Sequence, residues 1–151
     1  MTDGDGSSLT GTGKILQVVS TEESTWTTAS GYTPVSMNLG VTITPTSTSN
    51  RLLFLVDLNG LYAPSTSQSI ELEVHKDSTL VKFIDGHGTS NMAAYAANCS
   101  YNFLVDVTST SSQTWDIMGT TTSGGTWGWC NYSSGGNERT LCTLTILEIA
   151  Q

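Results

Sequence analysis

Positive charge is scarce in this chain. Lys14, Arg51, Lys76, Lys82 and Arg139 are its only basic side chains, set against thirteen acids, for a formal net charge of -8. The five are scattered along the sequence. No cluster is present to neutralise phosphates, and the field of the chain as a whole repels polyanions. Neither a nucleic-acid partner nor an anionic membrane is expected. Charge of either sign is in fact thin, at 12% of residues against roughly 25% in an ordinary soluble domain. Histidine occurs twice, which leaves little material for metal or acid–base sites. The three cysteines, Cys99, Cys130 and Cys142, include no C-x-x-C spacing. They read as small buried or surface thiols of a protein made in a reducing cytoplasm, with one disulfide as the less favoured alternative. No long apolar run exists either. Leu52–Val56, the strongest, is far short of the ~20 residues that a membrane helix needs. The opening MTDGDGSSLTGTG has no basic stretch and no apolar core, so no signal peptide is expected.

Amphipathic helical periodicity is also missing, which leaves no room for the crossover helices of a parallel α/β fold. Met92–Ala97 is the one short helix-like patch, and an apolar strand suits it as well. What is present instead is serine, threonine and alternation. Threonine is β-branched and favours the pleated strand. Val35, Met37 and Leu39 alternate with polar residues, as do Ile70, Leu72 and Val74, and then Tyr101, Phe103, Val105 and Val107. Val41–Ile43 is a short strand stopped by Pro45, which has no N–H to give a ladder. Thr46–Asn50 turns the chain into Arg51–Leu58, apolar almost throughout. Such a strand is expected to be central or covered on both faces, within the chain or between chains. Asn59-Gly60 signals a turn, Lys76–Ser78 another, and Asp85–Ser90 a glycine-containing loop. Leu141, Thr143, Thr145 and Leu147 alternate against Cys142, Leu144, Ile146 and Glu148 in the last strand. The reading is an all-β antiparallel sandwich, jelly-roll-like, of about eight to ten short strands. Residues 14–151 form its single domain, and residues 1–13 form a flexible polar arm.

No catalytic constellation stands out. A G-x-S-x-G elbow, a phosphate loop, a dinucleotide fingerprint and H-E-x-x-H are all absent. Glu71, Glu73 and His75 share one strand face, where a metal site is conceivable but a solvated polar face is the plainer reading. Asp85 and His87 sit in the adjacent loop on the same terms. Trp115, Trp127, Trp129 and Tyr132 lie near Gly/Ser-rich segments. They are read first as core or inter-subunit packing, and second as rings on which a glycan stacks. Leu52, Leu53, Phe54, Leu55 and Val56 are the candidate core or inter-subunit strand. No cofactor is called for.

Three segments carry a resemblance: GTGKILQVVST at Gly11–Thr21, VTITPTSTSNRLLFLVDLNG at Val41–Gly60 and LTILEIA at Leu144–Ala150. With YNFLVDVTSTSSQTWDIMG at Tyr101–Gly119 between them, the chain resembles a family of bacteriophage virion proteins common in the tail fibres of marine and cyanobacterial phages. It departs from the family pattern at Thr108-Ser109-Thr110, where a proline is usual, and with only a short polar arm ahead of the module no shaft is expected. The resemblance implies a jelly-roll-like module without catalytic residues, assembled as a homotrimer. It implies a small fibre subunit or a capsid decoration protein, displayed on the virion surface after assembly in the host cytoplasm. Other virion proteins, of capsid or tail, are expected to receive the N-terminal arm. The alternative it implies is a lectin-like head that binds a receptor or polysaccharide on the host surface.

Overall fold

The computed structural model describes residues 13–63, 69–88, 97–122, 124–130 and 140–151, with only the backbone at 85–88 and 97. Residues 1–12 of the predicted arm, Met92–Ala96 and Tyr132 lie outside the described residues. Eleven strand segments follow in order: β1 (Ile15–Glu23), β2 (Thr27–Ser30), β3 (Val35–Ser36), β4 (Val41–Ile43), β5 (Arg51–Leu61), β6 (Ser69–Lys76), β7 (Thr79–Gly88), β8 (Ala97–Asp106), β9 (Gln113–Thr121), β10 (Thr126–Trp129) and β11 (Cys142–Ile149). All pairings are antiparallel. Sheet I has the order β1-β11-β5-β8. Sheet II runs β3-β9-β6-β7, with β4 pairing the same edge of β9 as β3. β2 and β10 form a separate ribbon. The expected all-β, jelly-roll-like sandwich is the fold found.

Period-two alternation builds the core. Leu52, Phe54, Val56 and Leu58 point inward from β5, and Leu144 and Ile146 do so from β11. Ile70, Leu72, Val74, Trp115 and Ile117 face them from sheet II. Phe54 lies at the centre, stacked on Phe103 at 4.8 Å and meeting the Trp115 ring edge-on at 5.0 Å. Burying such aliphatic and aromatic side chains contributes roughly 1.5–3 kcal/mol each. Leu53 and Leu55 take the opposite side of β5, where Leu55 is exposed. The continuous apolar run thus splits between the core and an outer face.

Several local expectations are corrected. Asn59-Gly60 does not end the strand: β5 continues to Leu61, and Gly60 takes a positive φ of 68° where the register with β8 shifts. A bulge absorbs the glycine because pairing continues on its far side. Asp85–Gly88 is not a loop but the end of β7, paired with Ser69–Leu72. The Lys76–Ser78 turn holds, with Asp77 and Ser78 both at positive φ, as a tight hairpin requires. Glu148, on the apolar side of the last strand, is inward and fully buried. Four hydrogen bonds satisfy it: from Gln17 Nε2 (2.6 Å), Thr46 N (2.8 Å), Thr46 Oγ1 (2.9 Å) and Asn50 Nδ2 (2.6 Å). The thiol reading is corrected too. Cys130 and Cys142 pair as a disulfide with Cα atoms 5.8 Å apart, and Cys99 is not part of it.

Candidate functional site

On the outer face of sheet II, a cleft of about 430 Å³ opens between the β3 edge, β9 and the β6–β7 turn. Its position follows from register. His75 is opposite Asp116 across β6 and β9, and Glu73 is opposite Met118. Ser36, opposite Met118 on β3, closes one side, and Asp77, Ser78 and Thr114 close the other. The β6 face read as solvated is in fact largely covered. The Glu73 and His75 side chains are only 8% and 13% exposed, and His75 Nε2 meets Glu73 Oε2 at 2.6 Å. Burial of this pair comes from the neighbouring strands, which sequence alone does not place.

Asp116 is the polar side chain the cleft leaves least satisfied. Its Oδ1 is buried without a hydrogen-bond partner. Desolvation pushes its carboxyl above the usual range, opposed by hydrogen bonds from Ser36 and from the Ile117 backbone and by the charge of His75. Asp77 is tied down by comparison: its Oδ1 accepts the Thr114 N–H at 2.9 Å, and its own N–H donates to Thr114 O at 2.8 Å. The arrangement offers carboxylate acceptors, hydroxyls and an imidazole around a partly apolar floor of Pro34 and Met118. That set suits a ligand with several hydroxyl donors. Among the described residues, no three His, Cys, Asp or Glu side chains group so as to hold a metal ion.

The fold is shared with a viral particle protein. The VP2 protein of infectious bursal disease virus, in its subviral particle, matches with a TM-score of 0.52 and 10% identity over 89% of this chain. The structure of the Gx strain of the same virus matches at 0.47 and 12% identity, again over 89% of the chain. Dimeric latent PorU from Porphyromonas gingivalis matches at 0.45, with 10% identity over 89%. The chain spans 40%, 37% and 13% of those three chains. No family model and no curated protein sequence matches the chain.

The aromatic candidates lie elsewhere from the cleft surface. Trp115, Trp127 and Trp129 are each at most 2% exposed. Trp127 and Trp129 sit against one another at 4.7 Å, and Trp129 Nε1 donates to Met37 O at 2.9 Å. Trp127 rests on Gly119, where any Cβ would overlap its ring. These rings attach the β2–β10 ribbon to the sandwich and offer no free face to a sugar within the chain. Leu52, Phe54 and Val56 are core, whereas Leu53 and Leu55 face outward. Asp116 and Ser36 were missed in the sequence. The one signal for Asp116 was its place opposite the Trp115–Ile117 side of a clean strand.

Proposed function

We propose that the chain is a non-enzymatic structural protein of a virus particle: a trimeric fibre subunit or capsid decoration protein of a bacteriophage, displayed on the virion surface. The observation that carries this reading is a jelly-roll-like sandwich, alike over 89% of the chain to a protein solved as a viral subviral particle. The phage-like segments add to it, because Gln17, Thr46, Asn50 and Glu148 come from all three of them and meet at one place. Composition agrees. A hydroxyl-rich, net negative surface stays soluble when repeated many times on one particle. The polar arm, residues 1–13, would dock on neighbouring virion proteins and become ordered there. Mass spectrometry of gradient-purified virions, followed by a high-resolution particle map, tests the reading. Peptides of this chain and repeated density for its sandwich are expected. A map without it removes the proposal.

The cleft favours a second reading, a glycan-binding head, because it gathers the Asp77 and Asp116 carboxylates, the Ser36, Ser78 and Thr114 hydroxyls and His75 around a space of about 430 Å³. Retention on host-derived polysaccharide, lost in Asp116→Ala, would support it. No retention at millimolar glycan would count against it.

A further inference from the structure

Tyr32 is 71% exposed, more than any other large hydrophobic side chain among the described residues. Its ring is nonetheless held in place. A Cβ at Gly124 would lie 2.5 Å from Tyr32 Cε2, 2.8 Å from Cζ and 3.0 Å from Cδ2. Distances so alike to three consecutive ring atoms put Gly124 under the face of the ring; an approach from the edge would spread them further. Gly124 takes a positive φ of 68°, and its carbonyl accepts the Gly31 N–H at 3.0 Å. Glycine is needed there twice over, for the backbone and for the ring. One face of Tyr32 thus rests on backbone, and the exposure belongs to the other face and the rim.

Register fixes where this ring stands. Thr114, Asp116 and Met118 are alternate residues on the outer side of β9, and all three line the cleft. The next residue on that side, Thr120, is buried, and its Oγ1 donates to Gly31 O at 3.3 Å. Tyr32 therefore stands beyond the Met118 end of the cleft, about one two-residue step or ~7 Å along the strand. Thr33 and Pro34, which follow it in the chain, are cleft wall.

We propose that Tyr32 is the stacking platform for one hexose ring of a neutral oligosaccharide, whose next units run along β9 into the cleft. The proposal rests on the glycan-binding reading of the cleft and adds the platform and the charge class of the ligand. A pyranose presents a face of C–H groups, which suits the negative face of an aromatic ring. Its hydroxyls find acceptors in Asp77 and Asp116, and hydroxyl partners in Ser36 and Thr114. His75 is already engaged with Glu73 at 2.6 Å. Neutrality follows from the lining. No lysine or arginine is among the described residues that line the cleft, and the chain carries a formal charge of -8. A uronate, sialylated or phosphorylated glycan meets repulsion there. The buried Trp127 and Trp129 cannot serve as platforms, whereas Tyr32 has an open face.

The test is an array of neutral, uronate-containing and sialylated oligosaccharides probed with the full chain. It uses the wild type, Tyr32→Phe, Tyr32→Ala and the control Leu104→Ala, whose side chain is exposed on sheet I. The wild type and the control should retain neutral hexose oligosaccharides equally. Tyr32→Phe keeps the ring and should bind within about twofold of the wild type, and Tyr32→Ala should bind roughly tenfold more weakly. Titrating the best-retained oligosaccharide into the wild type should shift the Tyr32 ring protons together with the Met118 and Asp116 signals; this needs no variant to fold. Equal binding by Tyr32→Ala, with unmoved Tyr32 signals, overturns the platform and leaves the glycan reading of the cleft standing. A wild type that selects acidic glycans overturns the neutral class. Retention of no glycan overturns the platform and that reading together, without touching the virion proposal.

Discussion

Asn50 and Glu148, 98 residues apart, meet through a 2.6 Å hydrogen bond from Asn50 Nδ2 to Glu148 Oε1. Asn50 ends the turn before β5, and Glu148 lies near the end of β11. Gln17 reaches the same carboxylate from β1 and also donates to Thr44 O at 2.8 Å. Polar residues of the segments Gly11–Thr21, Val41–Gly60 and Leu144–Ala150 therefore meet in one clasp. It locks the β4–β5 turn to the two strands beside it. Those residues are explained by folding, since a buried carboxylate is stable only when its lone pairs are filled.

The clasp makes stability depend on pH. Burial alone would raise the Glu148 carboxyl, but hydrogen bonds from Asn50, Gln17 and Thr46 outweigh it and lower the pKa from 4.5 to about 2. A depressed folded pKa gives stability that is complete above the unfolded value and is lost as pH falls toward the folded one. The effect is about 3 kcal/mol at one pKa unit per 1.36 kcal/mol. Denaturant titrations at successive pH values should show this loss between about pH 4.5 and 2. Glu148→Gln should cost roughly 2–3 kcal/mol at pH 7 and flatten that part of the profile.

Asp116 should behave in the opposite sense. Desolvation raises its carboxyl, so ionisation in the folded state opposes folding as pH rises from its unfolded value through the raised one. Asp116→Asn should leave stability at pH 7 unchanged or higher. Carboxyl carbon chemical shifts followed across pH would locate the titration above the usual aspartate range.

Phe54 touches both sheets through Phe103 and Trp115. Phe54→Ala should cost about 3–5 kcal/mol, read from the denaturant midpoint at unchanged slope. Gly119→Ala tests the second packing contact. It drives a methyl into the Trp127 ring, and the expected loss of a few kcal/mol should come with a change in tryptophan fluorescence.

The disulfide gives a chemical prediction. Thiol titration of the unfolded, unreduced protein should find one reactive cysteine, Cys99, and three after reduction. Removing the cross-link in Cys130→Ala/Cys142→Ala should destabilise by roughly 2–4 kcal/mol.

Most strands were legible because alternation is local. Ile70, Leu72 and Val74 alternate with polar residues in the sequence, and all three are buried on the inner face of β6. What sequence could not supply was register. Glu148 looked like the polar end of an apolar face until Asn50, Thr46 and Gln17 were brought to it from distant segments. The cleft around Asp116 needs β3, β6 and β9 side by side. Cys130 and Cys142 offered no spacing signal, because their closeness is set by β10 and β11 rather than by the residues between them. Asn59-Gly60 misled because a glycine at positive φ serves a bulge as readily as a turn.

Gly13 N donates to Ala150 O at 2.7 Å, and Ala150 N donates to Lys14 O at 2.9 Å. Residues 13 and 150 thus leave the sandwich from one corner of sheet I. The module can be spliced as a unit into a surface loop of an unrelated carrier, or opened at a hairpin such as Asp77-Ser78 with its old ends joined by a short linker. In the first format both connections occupy that corner of sheet I, and in the second both lie at the β6–β7 turn; the rest of the surface stays available for display.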